Sequence, residues 1–205
     1  MLSNPYFCTK DQQTAMALIE NNPWVTMVSS TSQGLVASHY AVLVEETSQE
    51  VGFSLVGHVG KPDDKILQLK DGSELLVIAQ GPHGYISPSW YGDGSHIPTW
   101  NHVTGHFWYR VEILSQEENF EFLVAMVDHF EKARENPCDL RKEGEQAVDY
   151  AKGTVGIRLH IERFELREKL NQNRPFHHVS GVIENLPESG NPQLGAYMKR
   201  YYHKD

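Results

Sequence analysis

The chain has 205 residues, of which 40% are hydrophobic and 22% are charged, and its formal net charge at pH 7 is −9. This composition is too apolar for a disordered chain, and the length fits one barrel-type domain with additions. The negative charge argues against non-specific nucleic-acid binding, which depends on Lys and Arg neutralising phosphates.

The first half of the chain predicts two helices and four strands joined by short turns. A helix is expected from Lys10 to Asn21, with Thr9 as its cap and Pro23 beyond its end. A shorter helix is expected over 62–70. The strands are predicted over 24–29, 35–45, 51–59 and 74–80. The last strand contains the apolar run LLVIA, which favours burial on both of its faces.

The second half opens with an irregular segment over 81–101, in which Gly and Pro alternate with His, Tyr and Trp. Ordered loops of this length and composition tend to be functional. The later elements are predicted as a strand over 103–114, a helix from Ser115 to about Arg134, an irregular stretch over 135–153, a strand over 154–166 and a short helix over 192–202.

The order of these elements favours a mainly β (α+β) fold. Strands that follow one another in hairpins, without helices between them, argue against a parallel α/β sheet. A small closed antiparallel barrel is the simplest arrangement, because closure removes exposed sheet edges. We expect a single domain over 1–205, with helical additions near 115–150 and 186–205.

Cys8 and Cys138 are the two cysteines, and their spacing matches neither a C-x-x-C motif nor a disulfide framework. The chain has no apolar run near 18 residues, and no basic region followed by an apolar stretch opens it. We therefore expect free thiols, no membrane span and a cytoplasmic protein.

Several common chemistries have no matching pattern in the sequence. The eleven histidines include His102 and His106, but four positions along a strand separate side chains by about 13 Å, too far for one metal ion. No H-E-x-x-H, G-x-S-x-G, G-x-G-x-x-G or P-loop motif is present. We therefore predict no metal site and no hydrolytic triad.

Polar residues concentrate instead at the ends of predicted strands. They are Ser38, His39, His58, Lys61, Gln80, His83, Trp100 and Asn101. In a small barrel such ends converge, and their donors suit a flat heterocycle that carries carbonyls and a phosphate. The alternative, which the residues alone leave open, is that glycines and prolines shape turns while the aromatic side chains pack over the barrel mouth.

The aromatic segment resembles the PaiB family of FMN-binding negative transcriptional regulators. Gln80 to Tyr91 reads QGPHGYISPSWY, and Pro98 to Asn101 reads PTWN, as in the family motif. The pair Ser38-His39, the run GHV over 57–59, and EKLNQNR followed by GVI near the C-terminus also agree. The resemblance runs over nearly the whole chain.

The resemblance implies a split β-barrel like those of flavin reductases and pyridoxamine-phosphate oxidases. It further implies a homodimer with FMN in a groove at the subunit interface, and repression of genes for sporulation and secreted degradative enzymes. The eight residues at the strand ends are then candidate FMN contacts. Two segments depart from the family: Ser38-His39-Tyr40-Ala41 stands for Thr-His-Leu-Pro, and Gly60 to Ile66 stands for A-x-x-N-P-x-W.

The sequence leaves three hypotheses for the function. The first is an FMN-dependent regulator whose contact with DNA is at most indirect, because the charge is negative and no helix-turn-helix is readable. The second is a flavin-dependent oxidoreductase that acts on a small molecule, for which no acid–base dyad need be visible. The third is a haem-binding split barrel, which the many histidines would suit.

Overall fold

The structure is a computed structural model, and it describes residues 4–47, 52–92 and 97–203. Parts of the predicted turn at 46–50 and of the aromatic segment 81–101 lie outside the described residues, as does the predicted first residue of the strand at 51–59.

The described part of the chain contains seven strands and six α-helices. The strands are β1 (Cys8–Thr9), β2 (Trp24–Thr31), β3 (Gly34–Glu46), β4 (Phe53–Gly60), β5 (Glu74–Ile86), β6 (Thr99–Ile113) and β7 (Thr154–Lys169). The α-helices are α1 (Gln12–Asn21), α2 (Asp63–Ile66), α3 (Gln116–Glu131), α4 (Glu145–Lys152), α5 (Phe176–Asn185) and α6 (Pro192–Tyr202). Two 3-10 helices span Pro88–Tyr91 and Leu140–Glu143.

The seven strands form one sheet in the order β1-β7-β4-β3-β2-β5-β6, and β6 also pairs with β7. That last pairing closes six of the strands into a ring, so the sheet is a barrel. Strand β1 pairs with β7, β2 pairs with β3 and β5, and β4 pairs with β3 and β7, and all of these pairings are antiparallel. The split-barrel fold expected from the sequence is therefore confirmed.

The chain packs as two compact units, and β5, β6 and β7 each contribute residues to both of them. The larger unit comprises Gln12–Ala79 and His106–Phe164. The smaller unit comprises Met1–Asp11, Gln80–Gly105 and Glu165–Asp205.

The core of the larger unit is the interior of the barrel. Alternate residues of β2, β5 and β6 are buried there, as the pairs Val25 and Met27 of β2 and Leu75 and Val77 of β5 illustrate. Removing side chains of this kind from water contributes roughly 1.5–3 kcal/mol each. The opposite face of β5 is half buried, so the apolar run LLVIA is fully buried on one face only, which corrects the expectation of burial on both.

The core of the smaller unit lies among β7, α5 and α6. Val179 and Val182 of α5 and Leu194 and Met198 of α6 are buried at helical spacing. Helix α5 also lies very close to the 3-10 helix Pro88–Tyr91, because a Cβ built on Gly181 would be 2.2 Å from the backbone oxygen of Trp90.

Most predicted elements are present, and the differences lie at the ends of the aromatic segment and in three of the helices. Strand β5 continues to Ile86 and β6 begins at Thr99, so the segment is regular at both ends. The glycines there mark close packing as well as turns: a Cβ on Gly84 would be 2.8 Å from the side-chain oxygen of Asn191. Helices α4 and α5 fall where no helix was predicted, and α2 is only four residues long.

Candidate functional site

The eight candidate residues divide equally between the two units. Ser38, His39, His58 and Lys61 belong to the larger unit, and Gln80, His83, Trp100 and Asn101 belong to the smaller one.

In the larger unit, two hydroxyl groups of β3 converge on one carboxylate. Ser38 and Tyr40 lie two residues apart on the strand and so point to the same side. The Ser38 hydroxyl donates to Oδ2 of Asp63 at 2.8 Å, and the Tyr40 hydroxyl donates to the same oxygen at 2.7 Å. The backbone N–H of Gly60 donates to the Tyr40 hydroxyl at 3.3 Å. We call these four residues the Asp63 cluster.

The cluster holds its two titratable groups in defined protonation states. Burial, and then the hydrogen bond to Asp63, raises the pKa of Tyr40 above its ordinary value of 10.0. The hydrogen bonds from Tyr40 and Ser38 lower the pKa of Asp63 below its ordinary value of 3.8. At neutral pH the carboxylate is therefore ionised and both hydroxyls are donors, so the pair Ser38 and Tyr40 already binds an anionic oxygen.

His58 lies beside this cluster at the end of β4. Its ring centroid is 6.5 Å from that of Tyr40 and 6.3 Å from that of Phe122. Burial lowers the pKa of His58, and its Nδ1 has no hydrogen-bond partner among the described residues. The ring is therefore neutral at pH 7 and can still accept or donate one hydrogen bond at that nitrogen.

The other two candidates of the larger unit are exposed. His39 lies between Ser38 and Tyr40 in sequence and points to the other side of β3. Lys61 follows β4, and its ammonium donates to the backbone oxygen of Lys152 at 2.6 Å. Because that contact is exposed, the Lys61 ammonium can exchange it for another acceptor at little cost.

In the smaller unit, three rings form an exposed aromatic platform. The Trp100 side chain is 56% exposed, and the His83 ring stacks beside it with centroids 6.4 Å apart and planes 26° apart. Tyr85 meets Trp100 edge-on, also at 6.4 Å. Gln80 orients the imidazole, since its amide nitrogen lies 3.3 Å from Nδ1 of His83. Three of the four candidates of this unit are thus brought together.

Asn101 lies apart from this platform. Its side chain is fully buried, and its amide nitrogen donates to the sulfur of Met198 at 3.5 Å. Its side-chain oxygen has no partner within the described ranges. In this arrangement Asn101 anchors β6 to α6.

Basic residues that sequence reasoning did not single out lie next to the platform strand. Arg167 and Lys169 alternate on β7, and the Lys169 ammonium donates to the Thr99 hydroxyl of β6. His102 is on β6. Its pKa is lowered mainly by burial and further by the charges of Arg167, Lys169 and His83. The two-residue spacing of Arg167 and Lys169 was the feature of the sequence that could have predicted that their side chains share one face of a strand.

Two kinds of site have no support in the described part of the chain. No group of three or more His, Cys, Asp or Glu side chains there is placed to hold a metal ion. Among the helices described, none is both long enough and apolar enough to cross a membrane.

The closed barrel with its added helices is that of the flavin-binding split-barrel class. Residues 1–163 match the family described as "Putative FMN-binding domain", and the chain belongs to that family. FMN is accordingly its cofactor.

The chain is similar in sequence to one named relative and similar in fold to two solved structures. The chain is 28% identical to the Protease synthase and sporulation protein PAI 2 of Bacillus subtilis over 188 residues, which cover 91% of this chain and 89% of the relative. Its fold resembles that of the FAD and heme binding protein from Mycobacterium smegmatis, with a TM-score of 0.60 at 15% identity over 84% of this chain and 78% of the other. It also resembles the flavocytochrome Anf3 from Azotobacter vinelandii, with a TM-score of 0.59 at 13% identity over 81% and 72%.

The donors of the Asp63 cluster fit the phosphate group of FMN. Two hydroxyls converge on a single carboxylate oxygen, and a phosphate oxygen is an anionic acceptor of the same kind. Lys61 adds a cation at the end of the neighbouring strand. One feature opposes phosphate binding at this cluster: the Asp63 carboxylate already accepts the hydrogen bonds of both hydroxyls.

Proposed function

We propose that this chain is an FMN-dependent regulatory protein of the PaiB type that acts without binding DNA itself. The observation that carries this proposal is the 28% identity to a named sporulation protein over nearly all of both chains. The regulatory role, the homodimer and the cytoplasmic location all belong to this proposal.

The FMN phosphate is bound, in this proposal, by the hydroxyls of Ser38 and Tyr40 together with the ammonium of Lys61. His58, neutral and with a free ring nitrogen, hydrogen-bonds the ligand beside them. When bound, FMN supplies redox chemistry through its ring system. The protein's residues hold the phosphate, keep the hydroxyl donors protonated and limit access of water to the barrel end.

The proposal excludes direct DNA recognition on three grounds. The net charge of −9 repels phosphates. The helices α5 and α6 are joined by six residues, 186–191, which is longer than the turn of a helix-turn-helix. The first turn of α6 carries no basic residue either, although recognition helices read bases from that end.

The experiment compares transcription in cells that lack the gene with cells complemented by the wild type or by the double variant Ser38→Ala, Tyr40→Phe. We expect the wild type to restore the transcript profile and the double variant to fail, while a gel-shift assay at physiological salt shows no tight, sequence-specific complex. Full complementation by a double variant shown to lack FMN would contradict the proposal, and so would a specific DNA complex of the purified protein.

The second candidate is a flavin-dependent oxidoreductase that acts on a small molecule. The exposed aromatic platform of Trp100, His83 and Tyr85 favours it, because exposed aromatic rings can contact an aromatic substrate face-on or edge-on. Rapid mixing of the FMN-bound protein with NADH or NADPH separates the two candidates. Fast reduction of the flavin supports the enzyme, and no reduction by either cofactor supports the regulator.

A further inference from the structure

A groove lies between the β2–β3 hairpin and the segment that contains α2. Its volume is about 270 Å³. Gln33 and Val36 line it from the hairpin, and Pro62, Lys65 and Ile66 line it from the other side. All five residues belong to the larger unit, and none of them is a candidate FMN contact. We call this space the hairpin groove.

Hydrogen bonds fix the distance between the two sides of the hairpin groove. The Ser32 N–H donates to Oε1 of Gln68 at 3.2 Å, and the Gln68 amide nitrogen donates to the Ser32 hydroxyl at 3.0 Å. The Ser29 hydroxyl donates to the backbone oxygen of the buried Leu67 at 2.7 Å. Gln68 has a φ of 52°, a left-handed conformation that residues other than glycine keep only where their surroundings enforce it. The groove is therefore formed before a ligand enters, which lowers the cost of binding.

The polar side chains of the hairpin groove are unused. Neither the Lys65 ammonium nor the Gln33 side-chain amide has a hydrogen bond or an ion pair with another residue in 4–47, 52–92 or 97–203. An ammonium offers three donors and a positive charge, and a side-chain amide offers two donors. An anionic oxygen in the groove can therefore accept hydrogen bonds there without breaking an existing contact.

The remaining side of the hairpin groove is aliphatic. Val36, Pro62 and Ile66 provide it, and Ile66 is 51% exposed although it is a large hydrophobic residue. A hydrocarbon group between these side chains would remove apolar surface from water, which is favourable. None of the residues that line the groove is aromatic, so it offers no ring on which a flat heterocycle could stack. The lining thus favours an aliphatic ligand.

The size and the charge of the hairpin groove narrow the ligand further. A volume of about 270 Å³ lies just below the usual range of ligand pockets, about 300–1,000 Å³, and suits a molecule smaller than a flavin nucleotide. Lys65 supplies one positive charge, whereas Asp63 and Asp64 lie on the same short helix. These carboxylates repel a dianion more strongly than a monoanion. A carboxylate therefore fits the groove better than a phosphate does.

We propose that the hairpin groove binds a small aliphatic monocarboxylate. Its carboxylate accepts hydrogen bonds from Lys65 and Gln33, and its hydrocarbon chain packs between Val36, Pro62 and Ile66. The site goes beyond the regulatory function proposed above and does not depend on FMN, because it uses none of the residues that we assign to the flavin.

The test titrates the full-length protein, first saturated with FMN and then without it, with 4-methylpentanoate. The comparison probes are acetate, 4-methylpentan-1-ol and 4-methylpentyl phosphate. Binding is followed by the backbone amide signals of Val36 and Ile66 in NMR spectra. We expect saturable binding of 4-methylpentanoate, at least about tenfold weaker binding of acetate and of the alcohol, and weaker binding of the phosphate ester.

The variant Lys65→Gln tests the charged contact. It should bind 4-methylpentanoate at least about tenfold more weakly than the wild type does. Because Lys65 is exposed, this variant is expected to fold, and an unchanged urea midpoint verifies that it does. The matched control is Lys70→Gln, which removes an exposed lysine of the same segment outside the groove and should bind as the wild type does.

The outcomes separate this site from the flavin site. Equal affinity for 4-methylpentanoate with and without FMN supports a separate site, and displacement of FMN by 4-methylpentanoate overturns it. Absence of saturable binding by the wild type, equal binding by Lys65→Gln, or a comparison probe that binds as tightly as 4-methylpentanoate overturns the proposal as well. The titration without FMN gives its answer whether or not the proposed function holds.

Discussion

The Asp63 carboxylate accepts a hydrogen bond from the Tyr40 hydroxyl at 2.7 Å, and it shares that oxygen with the Ser38 hydroxyl. Both Tyr40 and Asp63 stand at positions where the chain departs from the pattern of the PaiB family. The two departures thus form one hydrogen-bonded unit, at the donors that we assign to the phosphate.

Replacing Asp63 with Asn should tighten FMN binding by about tenfold at low salt, because it removes an anion that competes with the phosphate and repels it. Riboflavin, which lacks the phosphate, should bind both proteins alike. Equilibrium titration of flavin fluorescence measures both constants. The control Glu121→Gln removes an exposed carboxylate of α3 and should change neither. Equal strengthening for riboflavin and FMN would show that Asp63 does not act on the phosphate.

The stability of the protein should fall on mild acidification because of His58. Burial lowers the pKa of His58 from 6.5, so between that value and the folded-state pKa the unfolded chain binds more protons than the folded one. The contribution of His58 is complete above about pH 6.5 and declines as the pH falls toward the folded-state pKa. His102, whose pKa is also lowered, acts in the same direction.

Urea unfolding between pH 7.5 and 5 measures this effect. We expect a shallower pH dependence for His58→Gln than for the wild type, by at most about 1.4 kcal/mol per pH unit. The exposed His129 of α3 provides the control His129→Gln. Identical slopes for the wild type and His58→Gln would show that His58 is solvated in solution.

Gly181→Ala should destabilise the smaller unit. A Cβ at this position would be 2.2 Å from the backbone oxygen of Trp90, so α5 and the 3-10 helix must separate. Overpacking of this kind costs roughly 1–3 kcal/mol, measurable as a lower urea midpoint. The neighbouring substitution Ser180→Ala should have a much smaller effect. A Gly181→Ala protein as stable as the wild type would mean that α5 is not docked against Trp90.

Ser115→Ala should weaken the start of α3. The Ser115 hydroxyl accepts from the Glu118 N–H at 3.2 Å, and the Glu118 carboxylate accepts from the Ser115 N–H at 2.9 Å, which is a complete capping box. Loss of the hydroxyl should lower the free energy of unfolding by about 1 kcal/mol. Gln116→Ala, one position later, should be nearly neutral. If the two variants are equally stable, the cap is not formed in solution.

Much of the fold could be predicted from the sequence, because apolar residues recur every two residues in strands and every 3.6 residues in helices, and both patterns are visible in short stretches of chain. The predictions for β2, β3 and α3, and the closure of the barrel, followed from such patterns and from hairpin order. Helix α5 was missed because Gly181 and its neighbours weaken the helical pattern, and the glycine is there for a contact with Trp90 that only the fold reveals.

The candidate site was less accessible to sequence reasoning. Ser38 and His58 were chosen as residues at strand ends or in the loops between strands. Ser38 lies instead within β3, but both residues are at the Asp63 cluster or beside it. Asp63 was not chosen, because its position next to Ser38 depends on how β3 and α2 meet, and no local pattern encodes that. Asn101 was chosen for its place in a motif, whereas its side chain is turned into the core.

The most direct test of the FMN assignment is the absorption spectrum of the untagged protein, recorded as purified and again after incubation with excess FMN and gel filtration. The account predicts flavin bands in the filtered sample, and release of FMN on denaturation at about one molecule per chain. A haem Soret band, or a filtered protein with no flavin bands, would contradict it.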